Sequence, residues 1–374
     1  MSSTSTCRVT TKPCSSTSEH MTVSPFDHPL LSGLLGDEET ARQFSADAEL
    51  AAMLAFERAL AEAEAGEGVI GREAADAIVA ALASFEPDVA ALRNAVARDG
   101  VVVPELVRQL RSAVGAPHGD KVHFGATSQD VVDTALVLRL KPVVERLDAL
   151  LAEAAAKLAA VEKRFGARPL MGRTRMQAAI EITVADRVRA WREPVERNRA
   201  RLAAIRHELL VVQFGGAAGT LEKLGDKALA VRKSQAEKLG LYDAPQWHSQ
   251  RDRLADFAGL LSLITGSLGK FGQDVALMAQ DGSEIALAGG GGSSAMPHKQ
   301  NPVAAEVLVT LARFNATQLS GMHHALVHEQ ERSGSAWTLE WLLLPQMAVA
   351  AAAALRQAAA LAGQIESIGA RPGN

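Results

Sequence analysis

Eight large apolar residues, Leu254, Phe257, Leu261, Ile264, Leu268, Phe271, Val275 and Met278, follow one another at unbroken intervals of three and four. That spacing puts all eight on one stripe of a long helix, and the heptad-like repeat suits neighbours packed nearly parallel in a bundle. Met53, Phe56 and Leu60 repeat the spacing, as do Leu140, Val143, Leu147, Leu150 and Ala154, in a helix that Pro142 is expected to kink. Nothing alternates with period two for long enough to require a sheet. Aromatic residues are only 4% of the 374, with a single tyrosine, and a β-rich fold would need more of them. The expectation is an all-α fold, a bundle of long antiparallel helices.

The net charge of −4 and pI near 6.2 give no general basic field for nucleic acid. The uncharged run from Trp341 to Leu355 contains Pro345 and Gln346 and is too short to span a bilayer, so it reads as a buried helix rather than a membrane segment. Both cysteines, Cys7 and Cys14, precede residue 20, so the body carries no disulfide and no thiolate chemistry, which suits a reducing cytoplasm. Residues 1–20 are rich in Ser and Thr without an apolar run and are expected to be a disordered extension ahead of Met21. The excess of Arg8 and Lys12 over Glu19 leaves a transit peptide as the alternative. The organisation expected is that extension, an N-terminal helical domain over 21–126, and a central long-helix bundle over 127–374.

Polar clusters fall at the breaks between helices, where a bundle places its sites. One runs from Gly292 through Ser293, Ser294, Met296, Pro297, Lys299 and Asn301 to Glu306, behind four consecutive glycines. Asn301 is expected to cap the following helix with Pro302 at its first position, so that Lys299 and the free amides surround a carboxylate site. A second runs from His123 through Thr127, Ser128, Gln129 and Asp130 to Asp133. Ser128 is the expected N-cap there, with the two aspartates in the first turn. The hydroxyls of Thr127 and Ser128 could instead hold a substrate carboxylate, with His123 as donor or proton carrier. His324 and His328, four apart with Glu329 and Glu331 close by, lack an H-E-x-x-H pattern, and no metal is expected.

The string G-S-S-x-M-P-x-K-x-N-x(4)-E resembles the signature of the fumarase/aspartase superfamily, and His123 to Asp130 resembles its H-x-G-x-T-S-x-D element. Three further blocks extend the likeness over residues 24 to 362: Gln213 to Thr220, Trp247 to Asp252, and Glu329 to Gly334 running on to Trp341. Together they resemble the bacterial 3-carboxy-cis,cis-muconate cycloisomerase family more than the purine or arginine-pathway lyases. The likeness implies a tetrameric helical core, here with the C-terminal domain shortened or absent, and sites drawn from three subunits.

It further implies lactonisation of a small tricarboxylate, 3-carboxy-cis,cis-muconate, without a cofactor. Ser293, His123 and Lys299 would be catalytic. Thr127, Ser128, Gln129, Arg173, Arg175, Gln177, Gln250, Ser294, Met296, Asn301, Arg332 and Ser333 would bind substrate. Arg175 stands where many lyases of the superfamily carry a proton-transferring histidine. Arginine cannot do that work near neutral pH, but it binds carboxylates bidentately. Two alternatives remain open: another superfamily enzyme, either a sulfomuconate cycloisomerase or a fumarate-releasing lyase, and an inactive structural protein of the same fold.

Overall fold

The computed structural model describes residues 23–280, 282–292, 294–296 and 300–370. Cys7, Cys14, the expected extension over 1–20, Ser293 and Lys299 lie outside the described residues. Six helices come first: α1 (Ser32–Leu35), α2 (Glu38–Arg42), α3 (Ala46–Gly66), α4 (Arg72–Ala83), α5 (Val89–Asp99) and α6 (Val103–Val114). The long elements follow: α7 (Ser128–Phe165), α8 (Val184–Leu209), α9 (Ala228–Leu239), α10 (Asp252–Ala279), α11 (Val303–His324) and α12 (Gly334–Gly363). The fold is all-α in its core, and every member of the three apolar stripes is buried, none above 3% exposed.

The long helices run antiparallel, and their side-chain pairs record it. Arg192, Arg199 and Arg206 of α8 meet Glu162, Asp148 and Glu145 of α7 in descending order. Trp191 and Asn198 of α8 likewise donate to Asp274 and Ser267 of α10. Between α10 and α11 the backbones touch, because a Cβ on Gly272 would lie 2.5 Å from the Ala305 carbonyl oxygen. Asn315 of α11 donates to the carbonyls of Leu261 and Met347, tying α10, α11 and α12 together inside the apolar core.

Prolines inside helices do not end them. Pro142 lies within α7 and Pro345 within α12. A proline deletes one backbone bond, and in α12 the loss is offset by the fully buried alanines from Ala350 to Ala354. The uncharged run is therefore part of a helix of 30 residues, longer than expected. Both α10 and α12 are long and apolar enough to cross a membrane by length and composition, yet 61% of each apolar window is buried in the bundle.

Two small two-stranded sheets, which no period-two pattern signalled, accompany the helices. Strands β1 (Pro169–Thr174) and β2 (Gln177–Thr183) pair as an antiparallel hairpin, and β3 (Ile285–Leu287) pairs with β4 (Ile365–Ile368). The hairpin turns through Arg175 and Met176, both left-handed at φ 47 and 69. Two consecutive positive φ values are the geometry of a two-residue hairpin turn, usually signalled by Asn-Gly or Asp-Gly. Neither signal is present, so the sequence pattern hides the turn.

One ion cluster joins three helix ends. Arg251, at the head of α10, bonds Asp133 of α7 at 2.6 and 3.0 Å and Glu340 of α12 at 2.9 and 2.6 Å. It lies over the Trp247 ring at 4.7 Å. Burial opposes its charge, but Asp133 and Glu340 outweigh that effect and hold the guanidinium protonated above its ordinary value. Arg251→Met strands two buried carboxylates and should cost about 3–5 kcal/mol in chemical unfolding. Replacing Asp133 and Glu340 by apolar residues as well should recover much of that loss, a contrast that double-mutant cycles can measure.

Candidate active site

The expected site residues divide into two groups at opposite ends of the bundle. His123, Thr127, Ser128, Gln129, Gln250, Arg332 and Ser333 gather where α7, α10 and α12 begin. Arg173, Arg175 and Gln177 lie on the hairpin beyond the far end of α7, with Ser294, Met296 and Asn301 in the segment that follows β3. Arg173 bonds Glu284, the residue just before β3, at 2.6 Å and so ties the hairpin to the start of that strand. The 38 residues of α7 span roughly 55 Å, and the 28 of α10 about 40 Å. No single copy of the chain brings the two groups together.

At the first end Asp130 is the organiser. It is fully buried and accepts from the N–H groups of Thr127, Gly215 and Gly216 at 3.0, 2.8 and 2.9 Å. Gln213 at 3.2 Å and the His248 ring at 2.8 Å complete its shell. Thr127, not Ser128, is the N-cap of α7, because Asp130 reaches back to the Thr127 amide and fixes the boundary one residue earlier. Ser128 is the first helical residue, partly exposed like Thr127. Gly216 is left-handed at φ 69, and a Cβ there would lie 2.9 Å from the Gly125 carbonyl oxygen, so the glycine lets the 213–220 loop close over the start of α7.

Arg332 is aimed by two acceptors, Gln129 Oε1 at 3.0 Å and the Ala217 carbonyl at 3.1 Å. Gln129 is fully buried and donates to Asp133 and to the His248 carbonyl, so its amide serves as a bracket for Arg332. Ser333 is buried as the N-cap of α12, accepting from Ala336 N–H, and its hydroxyl holds the Glu329 carboxyl below its ordinary value. Gln250 is exposed beside this group.

At the second end, the residues around the expected catalytic loop are pinned by a two-way backbone bridge, Gly291 to Asn301 and back, at 2.9 Å each. That bridge holds Asn301 one residue ahead of the N-cap position, which Pro302 occupies, and Asn301 does not cap. Ser294 is exposed, as are Gln177 and Arg175 on the hairpin, and Met296 is 44% exposed. Arg175 sits at the hairpin tip. A 460 Å³ pocket includes Arg173, Arg175, Arg187 and Lys270 in its walls, with Asp274 and Glu284 also present.

His324 and His328 do not share a helical face, because α11 ends at His324. His324 is exposed, and the His328 side chain is buried beyond the helix, 3.8 Å from Glu340. Among the described residues no group of three His, Cys, Asp or Glu side chains is placed to hold a metal.

The acids behind His123 escape composition and motif reading. His123 Nδ1 lies 2.6 Å from Glu57 Oε1 of α3. Glu64, two turns on, is fully buried with neither carboxylate oxygen partnered. Burial first, and then the charge of Glu57, push the Glu64 carboxyl up to about 9. The available signal was two acids seven apart on the same helix as the Met53, Phe56 and Leu60 stripe.

Glu64 gives a pH prediction. Unfolded it ionises near 4.5, whereas folded it keeps its proton to about 9. The folded chain binds more protons across that window, so stability is fullest below 4.5 and falls as pH rises toward about 9. Glu64→Gln removes this slope. Between about pH 6 and about pH 8, wild type should lose on the order of 2 kcal/mol more than the variant in chemical unfolding.

Comparison with known proteins adds kinship to this geometry. A profile described as lyase matches residues 37–317. A 3-carboxy-cis,cis-muconate cycloisomerase of Pseudomonas aeruginosa is 43% identical over 331 residues, covering 86% of this chain and 72% of that protein. One from Pseudomonas putida is 41% identical over 337 residues, covering 88% of this chain and 80% of its own. The crystal structure of 3-carboxy-cis,cis-muconate lactonizing enzyme from Pseudomonas putida superposes with a TM-score of 0.83 at 39% identity, covering 90% of this chain and 77% of that one.

Proposed function

The chain belongs to the fumarase/aspartase superfamily of lyases, and on that premise we propose that it is a cycloisomerase, an intramolecular lyase that lactonises 3-carboxy-cis,cis-muconate in protocatechuate breakdown. The observation that carries the reading is the receptor at the start of α7. Arg332, held by Gln129 and Ala217, is tied to the first turn of α7, whose N-cap is Thr127 and whose first residue is Ser128. Cation, hydroxyls and helix dipole together favour bound carboxylate. The family kinship supplies the substrate class.

In the reaction one substrate carboxylate oxygen attacks an alkene carbon and forms the lactone C–O bond. The alkene electron pair moves to the carbon α to another carboxylate, giving an aci-carboxylate, and that carbon then takes a proton. Lys299, Asn301, Thr127 and Ser128 stabilise the added charge. One preorganised donor of this kind contributes on the order of 3 kcal/mol. Ser293 delivers the proton, with His123 as the second candidate. Arg175 binds a substrate carboxylate through its planar fork of donors.

These roles require both ends of the bundle in one site. The enzyme is therefore a homotetramer in which hairpin and catalytic segment from other copies complete the receptor at the start of α7. The hairpin is suited to this contact, since Met176 and Ile180 are each 72% exposed. Its working place is the cytoplasm, in keeping with a body free of cysteine.

An ultraviolet assay that follows loss of 3-carboxymuconate beside release of fumarate tests the function. Muconate turnover without fumarate is the expected result, and fumarate release from a succinyl-type substrate would identify a conventional lyase instead. Arg175→Lys should raise KM, and Arg175→Ala should cost about 2–4 kcal/mol in kcat/KM with the shape of the pH profile kept. Near-normal kinetics in both variants would remove Arg175 from the site.

A further inference from the structure

We propose that Glu57 is a positioning residue that locks His123 into the Nδ1–H tautomer, leaving Nε2 as the proton-handling atom that faces the substrate. The proposal rests on the reading that His123 belongs to the active site, and it assigns a role to a buried acid which that reading leaves idle.

The geometry is specific. Glu57 lies on α3, which packs against α7 from behind, and its side chain is 1% exposed. Its Oε1 stands 2.6 Å from His123 Nδ1, too close for anything but a hydrogen bond. A carboxylate only accepts, so Nδ1 carries the proton and Nε2 is left with its lone pair in the neutral ring. His123 itself adopts left-handed backbone, φ 62, an uncommon conformation in which its ring meets Glu57. Four residues on comes Thr127, at the receptor.

Of the two acids buried seven apart on α3, Glu57 is the one that meets the imidazole. The Glu64 side chain has no hydrogen-bond partner, and burial first and then the charge of Glu57 push its carboxyl up. A ring whose orientation is fixed by a buried acceptor reaches the transition state without first having to select its tautomer.

The test reads the tautomer directly and then its consequence. Long-range proton–nitrogen NMR on 15N-histidine protein, with the His123 signals assigned by His123→Asn, should show the neutral ring protonated at Nδ1. Glu57→Leu removes the acceptor and should return the ring to the Nε2–H form that free imidazole prefers. It should lower kcat by about 10–100-fold with KM within about twofold. Glu57→Gln keeps an acceptor oxygen and should retain the Nδ1–H form with a smaller loss in kcat. Wild-type His123 protonated at Nε2, or a folded Glu57→Leu enzyme with kcat within about twofold of wild type, would overturn the proposal. The NMR result needs no substrate, so failure of the muconate assay would overturn the function and leave the tautomer assignment standing.

Discussion

Arg251 is the point on which the arrangement depends. A guanidinium taken out of water is costly, and so are the two carboxylates beside it. The cluster is tolerable only because the charges meet in bonding geometry, with Trp337 donating to Asp133 at 2.9 Å and Gln129 doing so at 3.1 Å. That requirement fixes three helix starts relative to one another. Once Asp133 is placed, Asp130 one turn earlier is placed too, and with it the 213–216 backbone and His248. Gln129 carries the order outward to Arg332. The site is a surface extension of a buried electrostatic lattice.

Helix length then decides where chemistry can happen. A bundle of long antiparallel helices buries its middle chiefly in Leu, Ala and Val, and here the expected site residues lie at its ends. Carboxylate receptor and hairpin arginines are separated by the whole of α7, and bending within one chain cannot close that distance. The sharing between copies proposed above closes it without new structure, and the same proposal gives the exposed Met176 and Ile180 of the hairpin a surface to meet.

Most of the architecture was legible in the spacing of apolar residues, because periodicity reports burial directly, and all eight stripe residues of α10 are buried. Helix boundaries were legible only to within a residue. Ser128 and Asn301 are good caps by type, yet Asp130 moved the first boundary and the Gly291 bridge moved the second. The hairpin was not legible, since its strands are short and its turn uses Arg175 and Met176 in place of glycine or asparagine. Of the site, the blocks around Thr127 and Arg332 stood out as motifs. Glu57 and Glu64 did not, because acids on an apolar face carry meaning only once their neighbours are known.

Complementation between two inactive variants tests the shared site most directly. Thr127→Ala damages the receptor at the start of α7, and Arg175→Ala damages the hairpin. Each alone should be nearly inactive. After subunit exchange in an equal mixture, a site that draws these residues from different copies should be intact in about a quarter of cases, and activity should recover toward that fraction. If exchange is demonstrated by mass and activity stays at the level of the separate variants, both residues act within one chain and the shared site is wrong.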